Sequence, residues 1–238
     1  TLSGDRGNTA FVVGDAPARL ANNSTDITNW ATNANSSATN DEDGLVTSDS
    51  FTAVYYPWGT STDLAGNNVF VPPSHMVLRT LAVNDDVAFP WFAPAGIRRG
   101  VVDNATSVGY IKASTGEKQV IAVSQGIRDT LSTNRVNPIS FLTGAGLTIF
   151  GQKTRHSGTS ALDRVNVARL VVFLRTQLDK LAQPFIFEPN DELTRNEIKQ
   201  AVESFLLELV GQRALYDFLV VCDDTNNTPT RIDRNELY

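Results

Sequence analysis

The spacing of apolar and polar positions changes several times along the chain, and each change marks an element. Phe51, Ala53 and Tyr55 alternate with Thr52, Val54 and Tyr56, the period of a strand, and Pro57 closes the run. Pro72-Pro73-Ser74 then opens a helical pattern over His75 to Asn84, where Met76, Val77, Leu78, Leu81 and Ala82 suit a short buried helix. Tyr110-Ile111 and Val120-Ile121-Ala122-Val123 are strand candidates on either side of the turn Ser114-Thr115-Gly116-Glu117. Gly144-Ala145-Gly146 leads into another, Leu147 to Gly151.

Two long helices follow. Ser160 with Asp163 forms a capping signal, after which Leu162, Val165, Leu170, Phe173, Leu174, Leu178 and Leu181 keep helical spacing until Pro184. Thr194 and Glu197 repeat the signal ahead of Ile198, Val202, Phe205, Leu206 and Leu209, and Gly211 is placed to end or interrupt that helix. Phe185 to Glu188 reads as a strand, and Tyr216 to Cys222 as a continuous strand buried on both faces. Strand, helix, strand, helix, strand from Leu147 to Cys222 predicts an α/β layout with a shared sheet and crossover helices.

Before residue 50 the pattern is different. Phe11-Val12-Val13 suggests a short strand, but Asn22 to Asp43 is dominated by Asn, Ser, Thr, Ala and Asp, with Ile27 and Trp30 the only large apolar side chains. That is too little for a core, and a surface excursion or a return leg from another domain is expected. The chain divides on this reading into 1–50 and 51–238. Its first residue is Thr, which suggests part of a longer chain, and the opening TLSGDRGNTA has neither a basic nor an apolar targeting region.

Composition narrows the function classes. Apolar residues make up 41% of the 238, enough for a sizeable core. A net charge of −6 argues against direct nucleic-acid binding, which needs clustered cations. No apolar run is long enough for a membrane span, so no membrane insertion is expected. The single cysteine, Cys222, sits in an apolar run and reads as a buried structural thiol.

Candidate chemistry is sparse. Neither His75 nor His156 lies in a nucleophile-elbow context, and Gly144-Ala145-Gly146 precedes a strand where a dinucleotide loop would follow one. Asp41-Glu42-Asp43-Gly44 lacks the ligand spacing of a calcium loop. Asp223 and Asp224 occupy a place where α/β enzymes put catalytic carboxylates, but no partner base or glycine-rich loop matches them, and loop capping is the better account. No catalytic residue, metal or cofactor is assigned. The cations Arg98-Arg99, Arg155, Arg164, Arg169 and Arg175 stand out in an acidic chain, as a solvated face or as contacts to an acidic partner.

A set of motifs in fixed order goes further. Tyr55-Tyr56-Pro57-Trp58, Val71-Pro72-Pro73-Ser74, Trp91 to Gly96 with Arg99-Gly100, Asn137-Pro138-Ile139, Ile149-Phe150-Gly151 with Thr154, Val165 to Leu170, Phe187 to Asp191, and Cys222 to Asn227 together resemble the C-terminal core of contractile phage tail sheath proteins. The likeness runs from about Phe51 to Tyr238.

That resemblance implies a structural subunit and no enzyme: copies of the chain polymerise around a tail tube and contract to drive it through the host envelope. It implies an α/β fold, a mixed sheet flanked by helices, with an irregular N-terminal segment from an outer domain. Implied partners are further copies of itself, the tail tube protein, and baseplate and tail terminator proteins. The implied location is the virion, with the host cytoplasm before assembly. Arg98, Arg99, Arg164 and Arg169 become candidate tube or subunit contacts, and Trp58, Trp91 and Phe92 packing anchors or subunit contacts. In the family, terminal arms add strands to neighbouring subunits. The segment after Asn235-Glu236-Leu237-Tyr238 that would form such an arm is not in this sequence. A phage-derived contractile injection machine is the alternative, and a carboxylate enzyme using Asp223 and Asp224 a further one.

Overall fold

The computed structural model describes residues 7–34, 48–234 and 236–238. They fall into two packing units, Thr1–Val172 and Phe173–Tyr238.

The first unit is built on strand β2, Thr52–Tyr56, whose five residues are all buried. The reason is its position. It lies between β1 (Val12–Asp15) and β7 (Val136–Leu142), parallel to both, and β8 (Gly146–Ile149) completes the four-stranded sheet antiparallel to β7. A central strand covered on both faces buries both of its side-chain sets. Ala53 and Tyr55 enter a cluster with Met76, Val77, Leu81, Val102, Ile139, Ile149 and Val165, while Val54 and Tyr56 enter a second with Leu20, Ile27, Trp30, Leu131 and Val136. The period-2 pattern thus sorts the strand between two cores. The mixed sheet flanked by helices is as the motifs implied.

The second cluster corrects the expectation for the N-terminal stretch. Ser24–Thr32 forms helix α1, capped by Asn23, whose side chain accepts from the Asp26 amide at 2.8 Å. Ile27, Trp30 and Ala31 are buried against the sheet. Two large apolar side chains suffice because the core they complete belongs mainly to β2 and β7; composition within the segment alone could not reveal that.

Helix α2 runs Pro73–Val87, longer than expected at its C-terminal end, with Pro at its first turn where a missing N–H is harmless. A second, antiparallel sheet in the order β4-β3-β5-β6 is formed by Trp58–Thr62 (β3), Asn68–Val71 (β4), Ser107–Ile111 (β5) and Lys118–Val120 (β6). It leaves only Val120 of the expected strand Val120 to Val123 in a ladder. The short helix α3 is Gly96–Arg99, and α4, Gln125–Thr133, packs Leu131 into the second cluster. Gly144 and Gly146 have φ of +85° and +76°, which explains that glycine pair as the turn of the β7–β8 hairpin.

The boundary between the units falls within helix α5, Val165–Ala182. Ser160 caps a 3₁₀ turn, Ala161–Asp163, ahead of α5 and not the helix itself. In the second unit, Gln183–Phe185 is another 3₁₀ turn and α6 spans Glu192–Gly211. Its cap is Asp191, which accepts from the Thr194 amide at 2.8 Å, so the helix starts before the expected Thr194. Phe173 and Phe205 face each other with ring centroids 6.4 Å apart.

Two expected strands are absent. Phe185 to Glu188 continues as helical turn, and Tyr216 to Cys222 has no ladder partner among the described residues, with Leu219 86% exposed. An apolar run is compatible with a strand, but only a neighbouring strand makes it one. The alternating strand-helix layout from Leu147 to Cys222 therefore does not form; that stretch contributes β8 and helices.

Candidate functional site

The candidate cations lie in different environments. Arg169, on the second turn of α5, is an internal tie in the first unit: its guanidinium pairs with Asp85 of α2 and donates to the Pro90 carbonyl at 3.4 Å. Its side chain is 11% exposed. Asn166, one turn earlier, donates to the Trp91 carbonyl at 3.3 Å. The two residues hold the start of α5 against the proline-rich turn between α2 and α3. That turn is stiffened by stacking of Phe89 on Trp91, 4.6 Å between centroids, and Arg99 sits 4.5 Å over the Phe92 ring.

Arg164 is half exposed and pairs with its neighbour Asp163, at 3.1 Å. Arg98 is exposed on α3. The four candidates thus differ in environment: Arg169 is a largely buried tie, whereas Arg98 and Arg164 carry exposed charge. Arg155 donates to the carbonyls of Asn134 and Ala31 at 2.6 and 3.4 Å, the C-terminal ends of α4 and α1. Burial, then the nearby Arg135, lowers its pKa.

Trp58 and Trp91 are packing anchors of the fold. Trp58 donates from Nε1 to the Ala16 carbonyl at 2.7 Å and stacks on Phe70. Trp91 is buried.

Two asparagines organise more than their spacing suggested. Asn137, buried in β7, donates from Nδ2 to the Val54 and Lys153 carbonyls at 3.2 and 2.8 Å and accepts from the Lys153 amide at 2.7 Å. It fastens the segment after β8 to the sheet, and Gly151 is glycine for the same reason: a Cβ there would lie 2.8 Å from Asn137 Oδ1. In the second unit, Asn227 Oδ1 accepts from the Tyr238 amide at 2.8 Å and its Nδ2 donates to the Tyr238 backbone oxygen at 2.7 Å. One side-chain amide thus holds both backbone groups of Tyr238, as a paired strand would. Arg231 covers the Tyr238 ring at 4.2 Å. The asparagines were visible in the motifs, but this role depends on a contact across the loop.

The carboxylates Asp223 and Asp224 are structural. Asp223 accepts from the hydroxyl and then the amide of Thr225, which lower its pKa, and Asp224 pairs with the buried Arg195 at 2.7 Å. Cys222 is buried, and burial raises its thiol pKa. His156 shares a hydrogen bond with Ser50 at 2.9 Å. Asp41-Glu42-Asp43-Gly44 lies outside the described residues. Among those residues no helix is long and apolar enough to cross a membrane, and no group of His, Cys, Asp and Glu is placed to hold a metal ion.

Comparison with known proteins gives this arrangement a family. Residues 157–238 match the phage tail sheath C-terminal domain. The chain belongs to the tail sheath proteins of contractile phages. It is 34% identical over 170 residues to the tail sheath protein of Vibrio phage KVP40, covering 71% of this chain and 24% of that protein. With the tail sheath protein of Enterobacteria phage T4 it is 31% identical over 230 residues, 95% of this chain and 32% of that one. The chain thus spans a quarter to a third of the length of these relatives. They are structural proteins, not enzymes.

Solved structures give the same fold. A chain of the anti-feeding prophage baseplate matches with a TM-score of 0.74 at 20% identity, over 99% of this chain and 56% of that one. A chain of the contracted anti-feeding prophage sheath matches with a TM-score of 0.68 at 23% identity, over 85% and 54%.

Proposed function

We propose that the protein is a structural subunit of a contractile tail sheath, which polymerises around the tail tube and shortens to drive the tube through the host envelope for genome delivery. The observation that carries this is the 31% identity to a phage tail sheath protein across 95% of the chain. Its partners on this reading are copies of itself in a helical sheath, the tail tube protein, and baseplate and tail terminator proteins. It resides in the virion tail, and in the host cytoplasm before assembly.

The physics suits the role. Heterologous contacts that do not close on themselves generate an open helix, and a second packing of the same bodies gives a second length. An extended state held by a barrier releases its energy without a nucleotide. Residues 1–50 are then the return from an outer domain, with β1 and α1 the part that docks on the core, and 51–238 the core itself.

Arg98, Arg99 and Arg164 are contacts to tube or neighbouring subunits, and Arg169 positions the α5 end that presents Arg164. Co-expression of the full-length protein with its tube protein, followed by pelleting, tests this. Arg164→Glu is expected to reduce decorated tubes without changing the fold, and wild-type decoration by that variant would overturn the tube contact. Likeness to the anti-feeding prophage favours a second reading, a phage-derived injection machine. Neighbouring genes for a capsid and DNA packaging support the virion; their absence supports the machine.

A further inference from the structure

Two surfaces of the chain complement each other in polarity and charge. In the second unit, the turn after α5, the first half of α6 and the residues before Tyr238 enclose a groove of about 760 Å³. Ile186, Phe187, Ile198, Ile232 and Leu237 give it apolar walls, and Phe187 is 97% exposed. Contiguous exposed apolar surface with a polar rim marks a place where a partner docks. The groove also has a sign. Its charged lining residues are Glu188 and Glu236, and neither carboxylate has an ion pair among the described residues. Asn190 fixes that rim: its Nδ2 donates to the Glu236 carbonyl at 2.9 Å, and its Oδ1 accepts from Arg195 at 3.0 Å.

The first unit carries the matching projection. Ile97 and Arg98 are consecutive on α3; Ile97 is 67% exposed, and Arg98 is exposed with no ion pair among the described residues. The turn that carries them is tightly closed. The Gly100 amide donates to the Gly96 carbonyl at 2.8 Å, a Cβ at Gly100 would lie 2.7 Å from the Ala95 backbone, and Arg99 is held over Phe92. Elsewhere the cation beside an exposed apolar residue is already engaged: Arg128 lies over the Phe150 ring at 5.0 Å. An apolar side chain next to a free guanidinium, presented on a fixed turn, fits an apolar groove with two free carboxylates, and fixing it beforehand lowers the entropy lost on docking.

We infer that the α3 turn of one copy docks in the groove of a second copy, with Ile97 among the apolar walls and Arg98 between Glu188 and Glu236. Projection and groove are different patches of the same chain, so the contact is heterologous and adds copies head to tail, the kind of contact an open helical polymer needs. This rests on reading Arg98 as a contact to a neighbouring subunit, and adds to it the surface that Arg98 meets.

The test replaces the exposed Phe187 by photo-crosslinking benzoylphenylalanine in full-length protein mixed from heavy-isotope and light-isotope batches, and maps the adduct after polymerisation. An adduct joining heavy and light chains at residues 95–101 is expected. An adduct within one copy, to another protein, elsewhere on a second copy, or none in an assembled polymer would overturn the inference. Arg98→Glu, and Glu188→Lys together with Glu236→Lys, are each expected to raise the concentration needed for polymerisation about tenfold. Combining the three should bring it most of the way back; a combination no better than either parent would contradict the pairing.

If the wild type forms no polymer, the proposed function fails separately. The same crosslink in the unassembled protein at high concentration then decides the site. A mixed-isotope adduct at residues 95–101 retains the inference, and its absence ends it.

Discussion

Replacing Ile27 by Ala isolates the claim that the N-terminal helix is part of the core. Ile27 is fully buried against Val54, Tyr56, Leu131 and Val136 of the second cluster. The substitution removes roughly three methylene-sized groups, about 2.4 kcal/mol of transfer free energy. The cavity left behind adds to this, because β2 and β7 are fixed by their ladders and cannot collapse into it; the total is about 3–4 kcal/mol. All three tryptophans, Trp30, Trp58 and Trp91, lie in the first unit, so their fluorescence in a guanidinium titration reports that unit. The midpoint should move to lower denaturant with the slope unchanged. A loss below about 0.5 kcal/mol, the ordinary range for surface positions, would refute the reasoning and return the segment to a surface excursion.

Three further outcomes are expected. Asn137→Ala, which removes three hydrogen bonds at a buried position, should cost the first unit about 3 kcal/mol in the same titration; a loss under about 0.5 kcal/mol would show that the tie is dispensable. The Asp191 cap is held below the usual carboxylate range, first by the Thr194 amide and then by its hydroxyl. Its stabilisation is thus present above the ordinary Asp value near 4 and lost as pH falls through the lower folded value. Helical circular dichroism should fall on acidification, and Asp191→Asn, which keeps the capping oxygen but has no charge to lose, should flatten that fall; an identical acid transition would contradict the assignment. Cys222, buried with a raised thiol pKa, should react with iodoacetamide far more slowly in the native protein than in denaturant, and equal rates would show it exposed.

Phe51 to Tyr56 could be read as a buried strand because period-2 alternation and β-branched or aromatic content agree there, and the structure sorts those same side chains onto two faces. Ile27 and Trp30 could not be read as core, since what buries them is a sheet formed by residues 52–56 and 136–142. Tyr216 to Cys222 failed in the opposite direction: its apolar content is real, but strand formation is a property of a pair. The arginines were legible as unusual and not as to environment. Arg169 and Arg164 are close in sequence, yet one guanidinium meets Asp85 and Pro90 while the other, half exposed, pairs with Asp163. The order of short motifs carried family membership because each fixes a local geometry, such as the Asn137 tie beside Gly151, that composition does not encode.

Electron microscopy of the full-length protein tests the central claim most directly. Long hollow cylinders, in extended and shortened forms, are the expected result. Discrete globular particles under all assembly conditions would contradict it.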